Sequence, residues 1–226
     1  MKKILLLHGA LGSAQQLEPL HQALANQFDV YAFNFEGHGG RPSEEPFSIA
    51  LFTQNTLQFL QQKDISTISI FGYSMGGYVA LHLAKDHPQL VDKIITLGTK
   101  FDWSLDSAQR EVKMLNPDKI EAKVPAFAQQ LAQRHSPNDW KVLLHKTADM
   151  MLNMAKGAKL QEQDLQNIST PTLVCIGGAD KMVSQAESQE AAAILPNGKL
   201  EVVEGFPHPI EKVEVERLAG LIKGFI

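Results

Sequence analysis

Short apolar runs alternate with longer amphipathic stretches along the chain. The runs Ile4–Leu7, Val30–Phe35, Ile68–Phe71, Ile94–Leu97, Thr172–Ile176 and Lys199–Val203 are rich in Ile, Val and Leu. A strand solvated on one face alternates apolar with polar positions, whereas a continuous apolar run reads as a strand buried on both faces. Between these runs, Ala14–Asn26, Ser48–Lys63, Gly76–Asp86, Gln185–Leu195 and Ile210–Phe225 read as helices. Strand and helix alternating in this way predict a parallel sheet with helices on both faces. Sheets of this kind carry their sites at the carboxyl ends of the strands.

One stretch breaks the alternation. From Gly98 to Ser169 no strand-like run occurs, and Pro117, Pro125, Pro137 and Gly157 punctuate what read as several helices. The segment lies between two strands, so it is an insertion. The expected organisation is a core in two parts, 1–98 and 170–226, with a helical lid at 99–169 over the carboxyl edge. Long insertions in compact domains tend to serve function.

Composition adds limits. The chain has 226 residues, 44% hydrophobic and 20% charged, which suits one globular domain with a buried core. A net charge of −4 provides no basic field for nucleic acid or an anionic membrane. The single cysteine, Cys175, lies inside an apolar run and reads as a buried small hydrophobe. With one cysteine no disulfide framework forms within the chain. The apolar start stops at His8-Gly9, too short for a secretory segment, and no stretch reaches membrane-span length. The cytoplasm is the expected compartment, and oligomeric state leaves no mark in the sequence.

The candidate chemistry centres on Gly72-Tyr73-Ser74-Met75-Gly76. Gly-x-Ser-x-Gly is a weak pattern alone, but here it sits between a buried strand and an amphipathic helix. A serine on that turn projects its hydroxyl from the sheet edge, and the helix behind it offers positive charge to an oxyanion. A serine hydroxyl needs a base. Of the histidines, only His208 follows the last strand, on a loop fixed by Pro207 and Pro209. The base needs an orienting carboxylate. Asp180 follows the strand ending at Ile176, and Asp102 is the rival. Choosing Asp180 gives the order Ser, Asp, His along the chain. The backbone N–H groups of Ala10 and Met75 are the candidate oxyanion donors, while His8 reads as a structural histidine of the first loop.

With these residues in place the whole chain resembles the α/β-hydrolase superfamily. The matching segments are His8-Gly9-Ala10-Leu11-Gly12-Ser13, Gly37-His38-Gly39, Gly72–Gly77, His87-Pro88, Pro171–Val174 with Gly177–Asp180, and His208. It is most similar to small bacterial carboxylesterases and to related enol-lactone, C–C bond and menaquinone-pathway enzymes. The resemblance implies Ser74, Asp180 and His208 as a triad, Ala10 and Met75 as oxyanion residues, and no cofactor or metal. The family usually has an antiparallel hairpin ahead of the His-Gly strand. Here the chain opens in that strand, so a six-stranded, all-parallel sheet is expected. Asn34 stands where the family often has Asp.

The implied function is hydrolysis of a small carboxylic ester, or of a related acyl or C–C bond, through an acyl-enzyme. A lyase or perhydrolase on the same triad is one alternative, and a ligand-binding, receptor-like member of the fold is another. For the substrate pocket the sequence offers Leu11, Tyr73, Trp103, Trp140, Met150 and Met154. The helical spacing of Met150, Met151 and Met154 suits core packing equally well, or an adaptable apolar wall.

Overall fold

A computed structural model describes residues 1–226. The chain runs β1 (Lys2–Leu7), α1 (Glu18–Leu24), β2 (Phe28–Ala32), α2 (Ile49–Gln62), β3 (Ile68–Tyr73), α3 (Met75–Asp86) and β4 (Val91–Leu97). Five helices follow: α4 (Leu105–Met114), α5 (Pro117–Lys123), α6 (Pro125–His135), α7 (Trp140–Asn153) and α8 (Glu162–Gln166). The chain closes with β5 (Thr172–Gly177), α9 (Gln185–Ile194), β6 (Gly198–Val203) and α10 (Val215–Phe225).

The sheet is six-stranded, in the order β2-β1-β3-β4-β5-β6, and every pairing is parallel. Alternation along each strand sorts its side chains into two cores. Leu5, Leu7, Ile70, Ile94 and Val174 face α2, α3 and α9, where they meet Phe52, Val79 and Ala192. Ile4, Leu6, Phe71, Ile95 and Cys175 face α1 and α10, where they meet Leu20, Leu24, Leu218 and Ile222. With both faces covered, the central strands have no solvated side, which is why apolar residues occupy both faces of their runs.

Three boundaries differ from the sequence expectation. The second strand spans Phe28–Ala32 rather than Val30–Phe35. Its last residues leave the sheet because their partner strand ends at Leu7, and Phe33 and Phe35 pack instead on Phe59 and Phe52 of α2. The helix expected over Ala14–Asn26 is a 3₁₀ turn, Ala14–Leu17, followed by α1. Pro19 lies in the first turn of α1 and has no N–H to continue the earlier helix. The helix expected over Ile210–Phe225 likewise divides into a 3₁₀ turn, Ile210–Lys212, and α10, with Val213 extended between them.

Helices α4–α8 form the insertion between β4 and β5. Ala108, Leu143, Met150 and Met154 join the core on the α2–α3 side. Ile120, Ala128, Leu131, Trp140 and Leu144 make a smaller core within the insertion. No helix is long and apolar enough to cross a membrane.

Candidate active site

Ser74 joins the end of β3 to the start of α3 with φ 51° and ψ −117°. Positive φ costs an L residue about 1–2 kcal/mol, so neighbouring structure must hold it there. The Ser74 N–H donates to the Leu97 carbonyl at 2.8 Å, and its carbonyl accepts from Thr99 Oγ1 at 2.9 Å. The flanking glycines are a packing requirement. A β-carbon on Gly72 would lie 2.3 Å from the Gly77 nitrogen, and one on Gly76 would lie 2.3 Å from the Leu7 carbonyl oxygen.

Asp180 and His208 lie on the loops that follow β5 and β6. His208 Nδ1 is 2.8 Å from Asp180 Oδ2. A carboxylate only accepts, so Nδ1 carries a proton, and in the neutral ring the lone pair is left on Nε2. Asp180 Oδ1 accepts the N–H groups of Met182 and Val183 at 2.8 and 3.0 Å. Burial opposes ionisation of Asp180, but the His208 bond and these two N–H groups outweigh it and hold its pKa below the ordinary value. Asp102, the rival acid, accepts the Ser104 N–H at 3.0 Å beside the start of α4. It has no bond to His208.

Ser74 and His208 line one cavity of about 320 Å³ with Ala10, Leu11, Tyr73 and Met75. The loop after β1 reaches the serine closely, for a β-carbon on Gly9 would lie 3.1 Å from Ser74 Cβ. Met75 is the first residue of α3, where a backbone N–H has no carbonyl four residues back within its helix. The insertion supplies the opposite wall through Trp103, Met114, Phe127, Met150, Met151 and Met154. Every methionine except Met1 lines this cavity. Its charged groups are paired: Lys100 with Glu111 at 3.4 Å, and Arg134 with Glu211 at 3.1 Å.

Of the residues offered for the substrate pocket, Leu11, Tyr73, Trp103, Met150 and Met154 line the cavity. Trp140 does not, and this corrects the sequence reading. It is turned into the small core of the insertion, against Ile120, Ala128, Leu131 and Leu144. Sequence reasoning passed over Gln16, Arg134 and Glu211, which also line the cavity. Nothing local marks them, since their meeting depends on how the insertion seats. It also passed over Gly98, whose φ of +61° places it against the Asp180–His208 pair.

His8, His38 and His135 are buried beside one another and do not line the cavity. His8 Nδ1 donates to the Gly9 carbonyl at 2.9 Å, and its Nε2 accepts the Phe35 N–H at 3.2 Å. Burial, the largest influence, lowers the pKa values of His8 and His135 to about 4, and that of His38 well below its ordinary value. All three rings are neutral near pH 7. Burial also pushes the Cys175 thiol up, so it stays protonated. No cluster of three or more His, Cys, Asp or Glu side chains is placed to hold a metal ion.

A serine at positive φ between a buried strand and a helix is the defining turn of the α/β-hydrolases, and this enzyme is a hydrolase of that fold. The chain belongs to the family described as "Serine aminopeptidase, S33", whose model matches residues 1–214. Among curated relatives, "Putative carbamate hydrolase RutD" of Serratia proteamaculans (strain 568) is 26% identical, covering 98% of this chain and 90% of its own. NosK from Streptomyces actuosus superposes with a TM-score of 0.82 at 21% identity, over 99% of this chain and 96% of that one. A structure from Nitrososphaera gargenis, described under carboxylesterases, gives 0.78 at 17% identity, over 99% of this chain and 89% of that one. At these identities the solved structures share the fold alone.

Proposed function

We propose that the enzyme hydrolyses small neutral carboxylic esters that carry an apolar acyl group, through Ser74, His208 and Asp180. The observation that carries this reading is the Asp180–His208 hydrogen bond on the cavity that Ser74 enters. Asp180 holds the imidazole with Nε2 unprotonated. Nε2 takes the proton from Ser74 Oγ as Oγ bonds to the carbonyl carbon. The N–H groups of Ala10 and Met75 take up the negative charge on the carbonyl oxygen. His208 passes the proton to the leaving alcohol as the C–O bond breaks, which leaves the acyl group on Ser74. Water then gives a proton to Nε2 and adds to the acyl carbon. The carboxylic acid departs, the proton returns to Oγ, and Ser74 is regenerated.

The cavity supports the substrate class. Its volume of about 320 Å³, walled mostly by apolar side chains, suits a small-molecule substrate. Methionine walls adapt to acyl chains of differing shape. Both carboxylates on the lining are already matched by cations, so no free anionic group waits for the ammonium of a peptide's amino terminus. A carbamate, the substrate class in the relative's name, presents the same kind of acyl carbon.

A panel of p-nitrophenyl esters graded in acyl length tests this reading. Turnover rising to a maximum at medium length and falling by about six orders of magnitude in Ser74→Ala is the expected result. Turnover that survives the substitution contradicts the assignment. Folded wild type that turns over no ester in the panel points instead to proton-transfer chemistry or to ligand binding.

A further inference from the structure

Two adjacent residues of the insertion bind the loops that surround Ser74. Arg134 and His135 are the last residues of α6. Arg134 Nη1 and His135 Nε2 both donate to the carbonyl of Leu11, each at 3.0 Å. Leu11 follows Ala10 and holds a φ of +58°. A leucine keeps this left-handed conformation only under restraint.

The same two side chains reach further. Arg134 Nη2 lies 3.1 Å from Glu211 Oε1, on the turn that follows His208, and Gln16 Nε2 bonds the same oxygen. His135 Nδ1 accepts the Gly39 N–H at 3.0 Å, from the loop beyond β2. That bond fixes the ring proton on Nε2, which makes Nε2 a donor to Leu11. His135 is fully buried and does not line the cavity. A contrast within the loop shows what the pair adds. The Gly9 carbonyl is held from inside the loop, by the Gly12 N–H and His8 Nδ1. The Leu11 carbonyl is held by the insertion.

We propose that Arg134 and His135 are positioning residues that fix the Leu11 carbonyl and so set the Ala10–Leu11 segment for oxyanion binding, coupling the seating of α6 to formation of the oxyanion site. This rests on the reading of Ala10 and Met75 as the oxyanion donors. If α6 lifts, Leu11 loses both donors together. Its φ then relaxes, and the peptide planes ahead of it turn away from the serine. A lid that merely covered the cavity would change substrate access and leave this geometry untouched.

The test compares wild type with Arg134→Met, Arg134→Lys and His135→Gln, each first checked for cooperative thermal unfolding. Two assays are run: the rate of phosphonylation of Ser74 by a fluorophosphonate, and kcat and KM on a neutral p-nitrophenyl ester. The proposal expects Arg134→Met to lower both the phosphonylation rate and kcat by about tenfold or more, with KM within about twofold of wild type. Arg134→Lys, which keeps one donor, should recover most of the loss. His135→Gln, which places an amide N–H near the old Nε2, should fall between wild type and Arg134→Met. Wild-type phosphonylation in Arg134→Met, or a change confined to KM, overturns the proposal. Should His135→Gln fail to fold, the arginine pair decides alone. Absence of adduct in the wild type would sink the serine mechanism itself, an outcome distinct from failure of the positioning role of Arg134 and His135.

Discussion

Gly98 lies against His208. A β-carbon built on Gly98 would sit 3.2 Å from His208 Nδ1 and 3.1 Å from Asp180 Oδ2. Gly98 also holds a φ of +61°, where an L side chain is strained. Gly98→Ala is therefore expected to lower stability by about 1–2 kcal/mol and kcat by about tenfold, since it pushes on the bond that orients the base. Chemical denaturation and ester kinetics on the same preparation check this. A variant with wild-type kcat would mean that the Asp180–His208 geometry tolerates displacement.

The choice between carboxylates has a direct test. Asp180→Asn leaves an amide where His208 needs an acceptor, and the imidazole settles in the wrong tautomer. The loss in kcat should be about four orders of magnitude, with the fold retained. Asp102→Asn, by contrast, alters only a local turn and should stay within about twofold of wild type. The opposite ranking would transfer the orienting role to Asp102.

Stability should depend on pH through the buried histidines. The rings of His8 and His38 are 5.1 Å apart, and those of His38 and His135 are 5.8 Å apart. Arg134 adds its charge beside His8 and His135. In the unfolded chain these imidazoles take up protons near pH 6.5, whereas folded His8 and His135 resist until about pH 4. The unfolded state thus binds more protons in that window, so stability rises with pH from about 4 to about 6.5 and is fully present above it. At 1.36 kcal/mol per pH unit the loss at the acid end is on the order of 3 kcal/mol for His8 alone. Urea unfolding of wild type and His8→Asn at pH 7 and pH 5 measures it. The drop between the two pH values should be smaller in the variant, and equal drops would contradict the account.

The two tryptophans of the insertion should separate by phenotype. Trp140→Ala opens a hole in the insertion's own core and is expected to cost about 3–5 kcal/mol without shifting acyl preference. Trp103 lines the cavity, so Trp103→Ala should move the optimum of the ester panel toward longer or bulkier acyl groups. Thermal unfolding and the ester profile together resolve the pair. An unchanged profile in Trp103→Ala would remove that side chain from the substrate site.

These contrasts mark what was legible in the sequence. The sheet could be read because Leu5, Ile70, Ile94 and Val174 lie in runs with apolar residues on both faces of the strand, a consequence of helices covering both faces. Ser74, Asp180 and His208 stand out in the sequence because each lies on the connection that follows a strand, and strand ends fix where loops emerge. Trp140 could not be placed, because its helix offers apolar side chains to two different cores and only the seating of the insertion selects one. Arg134 and Glu211 are far apart in the chain and carry no local pattern. Their pairing is a property of packing. The strand boundary at Ala32 was missed because Phe33 and Phe35 are apolar for another reason, their contacts with α2.

The central claim is that Ser74 is a nucleophile activated by His208. Its most direct measurement is fluorophosphonate labelling followed by peptide mass spectrometry, on wild type and on His208→Ala. The account predicts a single adduct on Ser74 that forms in the wild type and is slowed by orders of magnitude in the variant. An adduct that forms equally fast without His208, or one that maps to a different residue, would contradict it.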